Sequence, residues 1–178
     1  MAEYQPLQIK LHEVCGIDFA LRAMRNPRMS HAKAGRESDL KLAAKLIKAG
    51  DEHAKAMRGV IAYFEADMQV GFMLEWDTYR VGVECLSTSS SMFMDLSGMK
   101  GVDLAEAKQA GLPDKVYHRS YMASYQALRR MYLQRRNHRH PDWQVFCDWI
   151  ETLPYFAELI AQRDSELMFG ADQSNVRS

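Results

Sequence analysis

No apolar run in this sequence approaches the ~20 residues that a helix needs to span a bilayer. The first ten residues, MAEYQPLQIK, lack the basic segment and apolar stretch of a secretion signal. The expectation is a cytoplasmic protein with no membrane-embedded part. Cysteine is scarce and scattered: Cys15, Cys85 and Cys147 form no CxxC pair, which excludes a zinc knuckle or a thioredoxin-type redox motif. Such dispersed thiols suit a reducing compartment, where they act as small hydrophobes. Net charge is also missing, with 23 basic against 23 acidic residues. Global charge therefore gives no reason to expect nucleic-acid binding. There is no GxSxG elbow. His138 and His140, two residues apart, cannot share a helix face, so no metal set emerges. No internal repeat or low-complexity linker is present.

What is present fits one domain over residues 1–178. A chain of 178 residues, 47% hydrophobic and 26% charged, can bury a real core. Residues 7–11 alternate as a strand. Residues 16–25 read as a helix stopped by Asn26-Pro27, and 28–38 as a polar loop. Ser38 or Asp39 is placed to cap a helix whose face is Leu40, Ala43, Ala44 and Ile47, and Gly50 ends it. GVIAYFEA, residues 59–66, predicts a strand. Residues 68–80 predict a helix with Met68, Phe72 and Trp76 on one face. Residues 97–115 read as a connection around a short helix at 103–110. Helices are expected over 117–138 and 141–152, the second broken at Pro154, with a last helix after it and a frayed tail at 171–178. Trp143, Phe146, Cys147 and Ile150 mark a core face, with Pro141 and Asp142 suited to the first turn.

Two features point towards an anion. Ser87, Thr88, Ser89, Ser90 and Ser91 are five consecutive hydroxyl residues. Such a run reads as a polar turn, and equally as a phosphate cradle built from hydroxyls and backbone N–H groups. Arg80 is near enough to supply a countercharge. From Lys115 to Pro141 there is no acidic residue but there are seven lysines and arginines, whereas Asp142 to Glu166 holds six acids and one base. This separation fits two helices pairing in a hairpin. Within it, Tyr125, Arg129, Tyr132 and Arg136 fall on one helical stripe. Guanidinium forks take phosphate bidentately and phenol faces stack on a base. The same stripe also fits tyrosines in the core with arginines reaching the rim.

The segment SYQALRRMYLQRRNHRHPDWQVFCDWIETLPYFAELI, with DTYRVGVECLSTSSSM, resembles a family of small bacteriophage proteins. Its shared features are a DTYR-like helix, a serine stretch ending in Met, and Leu128-Arg129, Tyr132, Arg135, His138 and Trp143 in the helix pair. The order of features is similar, more distantly, to flavin-dependent thymidylate synthases. Leu46 to Gly50 falls where that family's first helix ends, and GVIAYFEA where its strand runs. Arg136 falls on its L-R arginine, and His140-Pro141-Asp142-Trp143 on its H-A-Q-W. The resemblance implies an α+β fold, helix-rich around a small sheet, and homo-oligomers with a nucleotide site between subunits. It also implies FAD as cofactor, yet the family's R-H-R triplet is absent, Phe146 stands where its last arginine would be, and its middle is shortened to residues 97–115.

These observations lead to a phage-type protein that binds a nucleotide or nucleotide-derived ligand, resembling a degenerate synthase and working in the host cytoplasm. Whether it catalyses a reaction is left open. The candidate ligand residues are Arg80, Ser87, Ser89, Ser90, Ser91, Arg129 and Arg136 for phosphate, and Trp76, Tyr79 and Tyr132 for the ring. An active flavin-dependent nucleotide-modifying enzyme is one alternative. A non-enzymatic interaction protein using the basic helix is the other, with nucleic acid ranked lower as a partner.

Overall fold

The computed structural model describes residues 4–89, 100–111 and 116–162. Four antiparallel strands form one sheet: β1 (Gln8–Cys15), β2 (Ile61–Gln69), β3 (Val83–Thr88) and β4 (Val116–Ser124), in the order β1-β2-β4-β3. Helices α1 (Ile17–Ala23), α2 (Arg36–Lys48), α3 (Val70–Trp76), α4 (Gly101–Gly111), α5 (Tyr125–Arg135), α6 (Pro141–Glu151) and α7 (Phe156–Leu159) complete the described architecture, which is α+β. None of the described helices is long and apolar enough to cross a membrane.

The sheet is two-faced because its central strands alternate. On β2, Ala62, Phe64, Ala66 and Met68 are buried while Tyr63, Glu65 and Asp67 are half-exposed. On β4, Arg119, Tyr121 and Ala123 are buried and His118 is exposed. The buried face stacks Phe64 on Tyr121, centroids 5.4 Å apart, and meets Trp149 of α6 at 4.7 Å. Burying each such ring contributes roughly 1.5–3 kcal/mol. The chain leaves β1 through Gly16, at φ +82°, where a Cβ would fall 2.0 Å from the Gly59 carbonyl oxygen. Only glycine fits so close a backbone approach.

The largest difference from the sequence reading is at 117–138, which is not one helix. Residues 116–124 form β4, and α5 begins at Tyr125. The segment VYHRSYMAS alternates with a period of two and carries aromatics that suit a half-buried strand. Ser124 then switches strand to helix, its Oγ accepting the Ala127 N–H at 3.2 Å. The expected helix over 68–80 is similarly shorter. Met68 belongs to β2, which ends at Gln69, and only 70–76 is helical, but Met68, Phe72 and Trp76 are all buried as expected.

Smaller differences follow local chemistry. Residues 28–38 hold a short 3₁₀ turn, His31–Lys33, and α2 starts at Arg36, so Ser38 and Asp39 lie inside its first turn rather than capping it. Asp39 Oδ2 still reaches back to accept the Gly35 N–H at 3.3 Å. Gly50, at φ +116°, follows the end of α2 as expected. The strand at 7–11 runs on to Cys15, and that at 59–66 is shifted to 61–69. The short helix at 103–110 is α4, and that at 141–152 is α6. The tail at 171–178 lies outside the described residues. Cys15, Cys85 and Cys147 are all free. Burial pushes the Cys147 thiol up to about 11, whereas Cys85 is exposed and does not behave as a core residue.

Candidate functional site

The strand-to-helix switch from β2 into α3 aims Glu75 and Trp76 at the start of α6. Trp143, fully buried in the first turn of α6, stacks on Trp76 with centroids 5.9 Å apart and planes 5° from parallel. Its indole Nε1 donates to Glu75 Oε2 at 2.8 Å. Arg135, at the end of α5, is held between rings: its guanidinium lies 4.6 Å from the Trp143 centroid and 5.4 Å from that of Tyr79. Its Nε donates to the Tyr79 hydroxyl at 2.6 Å. Stacking of this kind fixes a guanidinium plane before any ligand arrives.

Beside these groups opens a cavity of about 590 Å³ lined by Glu75, Thr78, Arg135, His138, Arg139, His140 and Pro141. Four nitrogen-bearing side chains thus surround a single carboxylate. Glu75 is held below the usual carboxylate range by the Trp143 hydrogen bond above all, against some desolvation, with His140, His138 and Arg135 adding attraction. It stands as an ionised acceptor beside the guanidinium groups of Arg135 and Arg139, while His138 and His140 each accept a backbone N–H at Nδ1. A second cavity, about 310 Å³, is lined by Trp76, Asp77, Tyr79, Arg80, Val83, Glu84, Cys85 and Tyr121. Behind it Arg119 donates from Nη1 to Asp77 Oδ1 at 2.7 Å and lies 5.2 Å from the Tyr121 centroid. Burial pushes the Tyr121 phenol well above its ordinary range.

The candidate residues from the sequence are distributed over different parts of this arrangement. Trp76, Tyr79 and Arg80 meet at the second cavity. Trp76 is only 1% exposed, while Arg80 is exposed, with Nε donating to the Asp77 carbonyl at 3.3 Å. Ser87 is a strand residue facing Ser120 across the β3–β4 ladder. Ser89 lies just beyond β3, its N–H donating to the His118 carbonyl at 2.8 Å and its Oγ accepting the His118 N–H at 3.1 Å. The described part of the hydroxyl run is therefore a strand and its end, not a turn. Ser90 and Ser91 lie outside the described residues.

The stripe of α5 turns inward. Arg129, 2% exposed, donates from Nε and Nη2 to the Gln162 carbonyl and lies 3.5 Å from Asp51. Tyr132 donates to Glu151 at 2.8 Å and meets the edge of Phe156. Arg136 is the C-cap residue of α5. None of the three lines either cavity, so the structure does not gather them with Trp76, Tyr79 and Arg80. The tyrosines of the stripe are core, as the second sequence reading of it allowed. The basic and acidic helices do pack against each other, but Arg129 and Arg130 share Asp51 ahead of β2.

The sequence reading missed Glu75, Thr78, Arg135, His138, Arg139 and His140 as a lining set. The available signal was the acid-free stretch itself. Its last seven residues, from Arg135 at the end of α5 to Pro141 at the start of α6, include the five that line the cavity with Glu75. Among the described residues no three His, Cys, Asp or Glu side chains form a metal-binding group.

No family model matches the sequence, and no curated protein is similar to it in sequence. The fold is similar to solved structures. Two are of the flavin-dependent thymidylate synthase of Helicobacter pylori, each containing FAD and dUMP. One covers 87% of this chain and 97% of its own, the other 89% and 100%, both with a TM-score of 0.72 and 14% identity. The thymidylate-synthase-like α+β architecture expected from the sequence is the architecture observed.

Proposed function

We propose that this protein binds a nucleotide or nucleotide-derived ligand, with the phosphate against Arg135, His138, Arg139 and His140 and the ring directed towards Tyr79 and Arg80. The observation that carries the reading is the 590 Å³ cavity whose rim of guanidinium and imidazole groups encloses one ionised carboxylate. Phosphate is the anion whose oxygens match several such donors at once. Glu75 would take a hydrogen-bond donor of the base or sugar. Similarity in fold to an enzyme crystallised with FAD and dUMP makes those two molecules the first to try.

The donor set fits the phosphates of FAD better than its ring system. Trp76 and Trp143, the broadest aromatic faces here, are 1% and 0% exposed and stack on each other. The reading is therefore of a binding protein, and no reaction is assigned. With it go a single domain, a homo-oligomer of the phage-type family with the site between subunits, and Ser87, Ser89, Ser90 and Ser91 offered as further phosphate contacts.

Isothermal titration with dUMP, dTMP and FAD tests the reading, using the protein freed of any carried-over ligand. Arg139 is exposed, so Arg139→Ala should leave thermal stability unchanged. Losing a charge-assisted hydrogen bond of ~1.5–3 kcal/mol should weaken nucleotide binding by about 10–100-fold. A variant that binds all three as tightly as the parent, or a parent that binds none, refutes the proposal. Titration against salt separates the nucleic-acid alternative, whose affinity would fall steeply as counterions are released.

A further inference from the structure

The half-exposed face of the sheet carries a row of ionisable side chains that the proposed ligand site does not use. In β1 the register shifts between Leu11 and Glu13, leaving His12 without a partner in the ladder. Its ring crosses to β2, where Nε2 lies 2.8 Å from Glu65 Oε2. The other oxygen of Glu65 lies 3.6 Å from His118 Nε2 on β4. The second ring nitrogen of His118, Nδ1, is 2.6 Å from Asp67 Oδ1. Register fixes this contact, because Asp67 and His118 are direct partners across the β2–β4 ladder. A chain of four side chains, His12–Glu65–His118–Asp67, thus joins three strands.

Its chemistry depends on one proton. A neutral imidazole has one N–H and one bare nitrogen, whereas the imidazolium has two donors. His118 is hydrogen-bonded to Asp67 at Nδ1 and within ion-pair distance of Glu65 at Nε2, so only the charged ring turns a proton towards both carboxylates. Removing its proton turns a lone pair towards a carboxylate and leaves Glu65 and Asp67, two residues apart on one face of β2, without the cation between them. Other ionisable groups on this face are Lys10, opposite Glu65, with Glu13 and Tyr63 beyond the bulge and Glu84 opposite Met122 on β3. Lys10 is exposed and, among the described residues, makes no hydrogen bond or ion pair into the row, so it does not replace His118 between the two carboxylates.

We propose that this row is a proton-operated clasp, in which His118 as imidazolium ties the exposed faces of β1, β2 and β4 together and its deprotonation loosens them. The main chain of the same residue holds Ser89 at the end of β3 through two hydrogen bonds. The clasp therefore sits where the hydroxyl run leaves the sheet. The inference does not depend on the ligand proposed above.

The direction of the pH effect follows from the shifts. His118 is raised above its ordinary 6.5 chiefly by the Asp67 hydrogen bond, against desolvation. A raised histidine contributes stability that is complete below 6.5 and lost as pH rises through the folded value. Glu65 is lowered from 4.5, chiefly by His12, and its contribution is present above 4.5 and lost as pH falls through the folded value. The clasp is tightest between those two ordinary values and releases towards alkaline pH.

The test is thermal unfolding of the full chain from pH 5.5 to pH 8.5 at constant ionic strength, for the parent, His118→Gln and Asp67→Asn. Tm of the parent should fall further over this range than that of either variant, by up to about 2–4 °C, screening at this exposed pair setting the upper bound. NMR titration of His118 in the parent gives the second readout and needs no variant to fold, with an expected midpoint above 6.5. Identical pH profiles in the parent and His118→Gln, or a midpoint at or below 6.5, would overturn the clasp. So would a Tm that rises with added zinc in the parent but not in His118→Gln, which would assign the row to a metal instead.

Discussion

Trp143→Ala should lower the unfolding free energy by ~3–5 kcal/mol, the range for deleting a buried aromatic from a packed core. The residue is fully buried and its ring meets Phe72 at 4.8 Å, Tyr79 at 5.6 Å, Phe146 at 5.6 Å and Trp76 at 5.9 Å. Its removal leaves a hole bounded by rings on several elements, and these cannot all collapse towards it. It also frees Glu75 from its hydrogen bond and takes one face away from Arg135. Against the ~5–15 kcal/mol that holds a typical domain together, this is a large fraction. Trp143→Phe separates the two effects, since it keeps most of the packing and loses only the bond to Glu75. Urea denaturation followed by circular dichroism should show a much lower midpoint for the alanine variant and a slope like that of the parent. A loss under 1 kcal/mol would mean that the ring cluster closes over the gap, and that Trp143 does not anchor the wall of the cavity.

The parts of the fold that were legible in the sequence are those in which one period extends through a whole element. The α6 face of Trp143, Phe146, Cys147 and Ile150 is buried as the 3.6-residue spacing requires, and GVIAYFEA lies largely in β2. Legibility failed where the period changes inside a polar stretch. From Val116 to Arg135 the spacing passes from two to 3.6 at Ser124, and reading the helix backwards through that point moved Arg119 and Tyr121 off their strand. The site failed for a related reason. Tyr125, Arg129, Tyr132 and Arg136 do share a stripe, but a helical stripe does not say whether it faces solvent or core. Here the 154–162 segment with α7 lies on that side: Tyr125 donates to the Pro154 carbonyl, Tyr132 meets Phe156, and Arg129 donates to the Gln162 carbonyl. The cavity depends instead on Arg135 at the end of α5 and on the turn after it, where His138, Arg139 and His140 follow no helical period. Only the fold shows that Glu75, some sixty residues earlier, comes to rest beneath them.

A buried ion pair gives the other large effect. Asp39→Ala should cost about 3–5 kcal/mol, because it leaves the Arg25 guanidinium inside the protein without its countercharge. The two side chains are 6% and 11% exposed, and both Nε and Nη2 of Arg25 lie 2.5 Å from Asp39 Oδ1. Ser38 Oγ accepts a further bond from Nη2 at 2.9 Å, which a neutral hydroxyl cannot turn into charge compensation. The pair joins the turn after α1 to the first turn of α2, and the Asp39 carboxylate also holds the Gly35 N–H where α2 begins. That cost measures the breaking of the pair and not its net value. Desolvating both ions offsets much of their attraction, so Arg25→Met combined with Asp39→Leu should lie far closer to the parent than Asp39→Ala alone. A double-mutant cycle by urea denaturation reads the difference directly as a coupling energy. If the single and double variants lose the same stability, the junction between α1 and α2 is held by its backbone turns, and the ion pair merely occupies it.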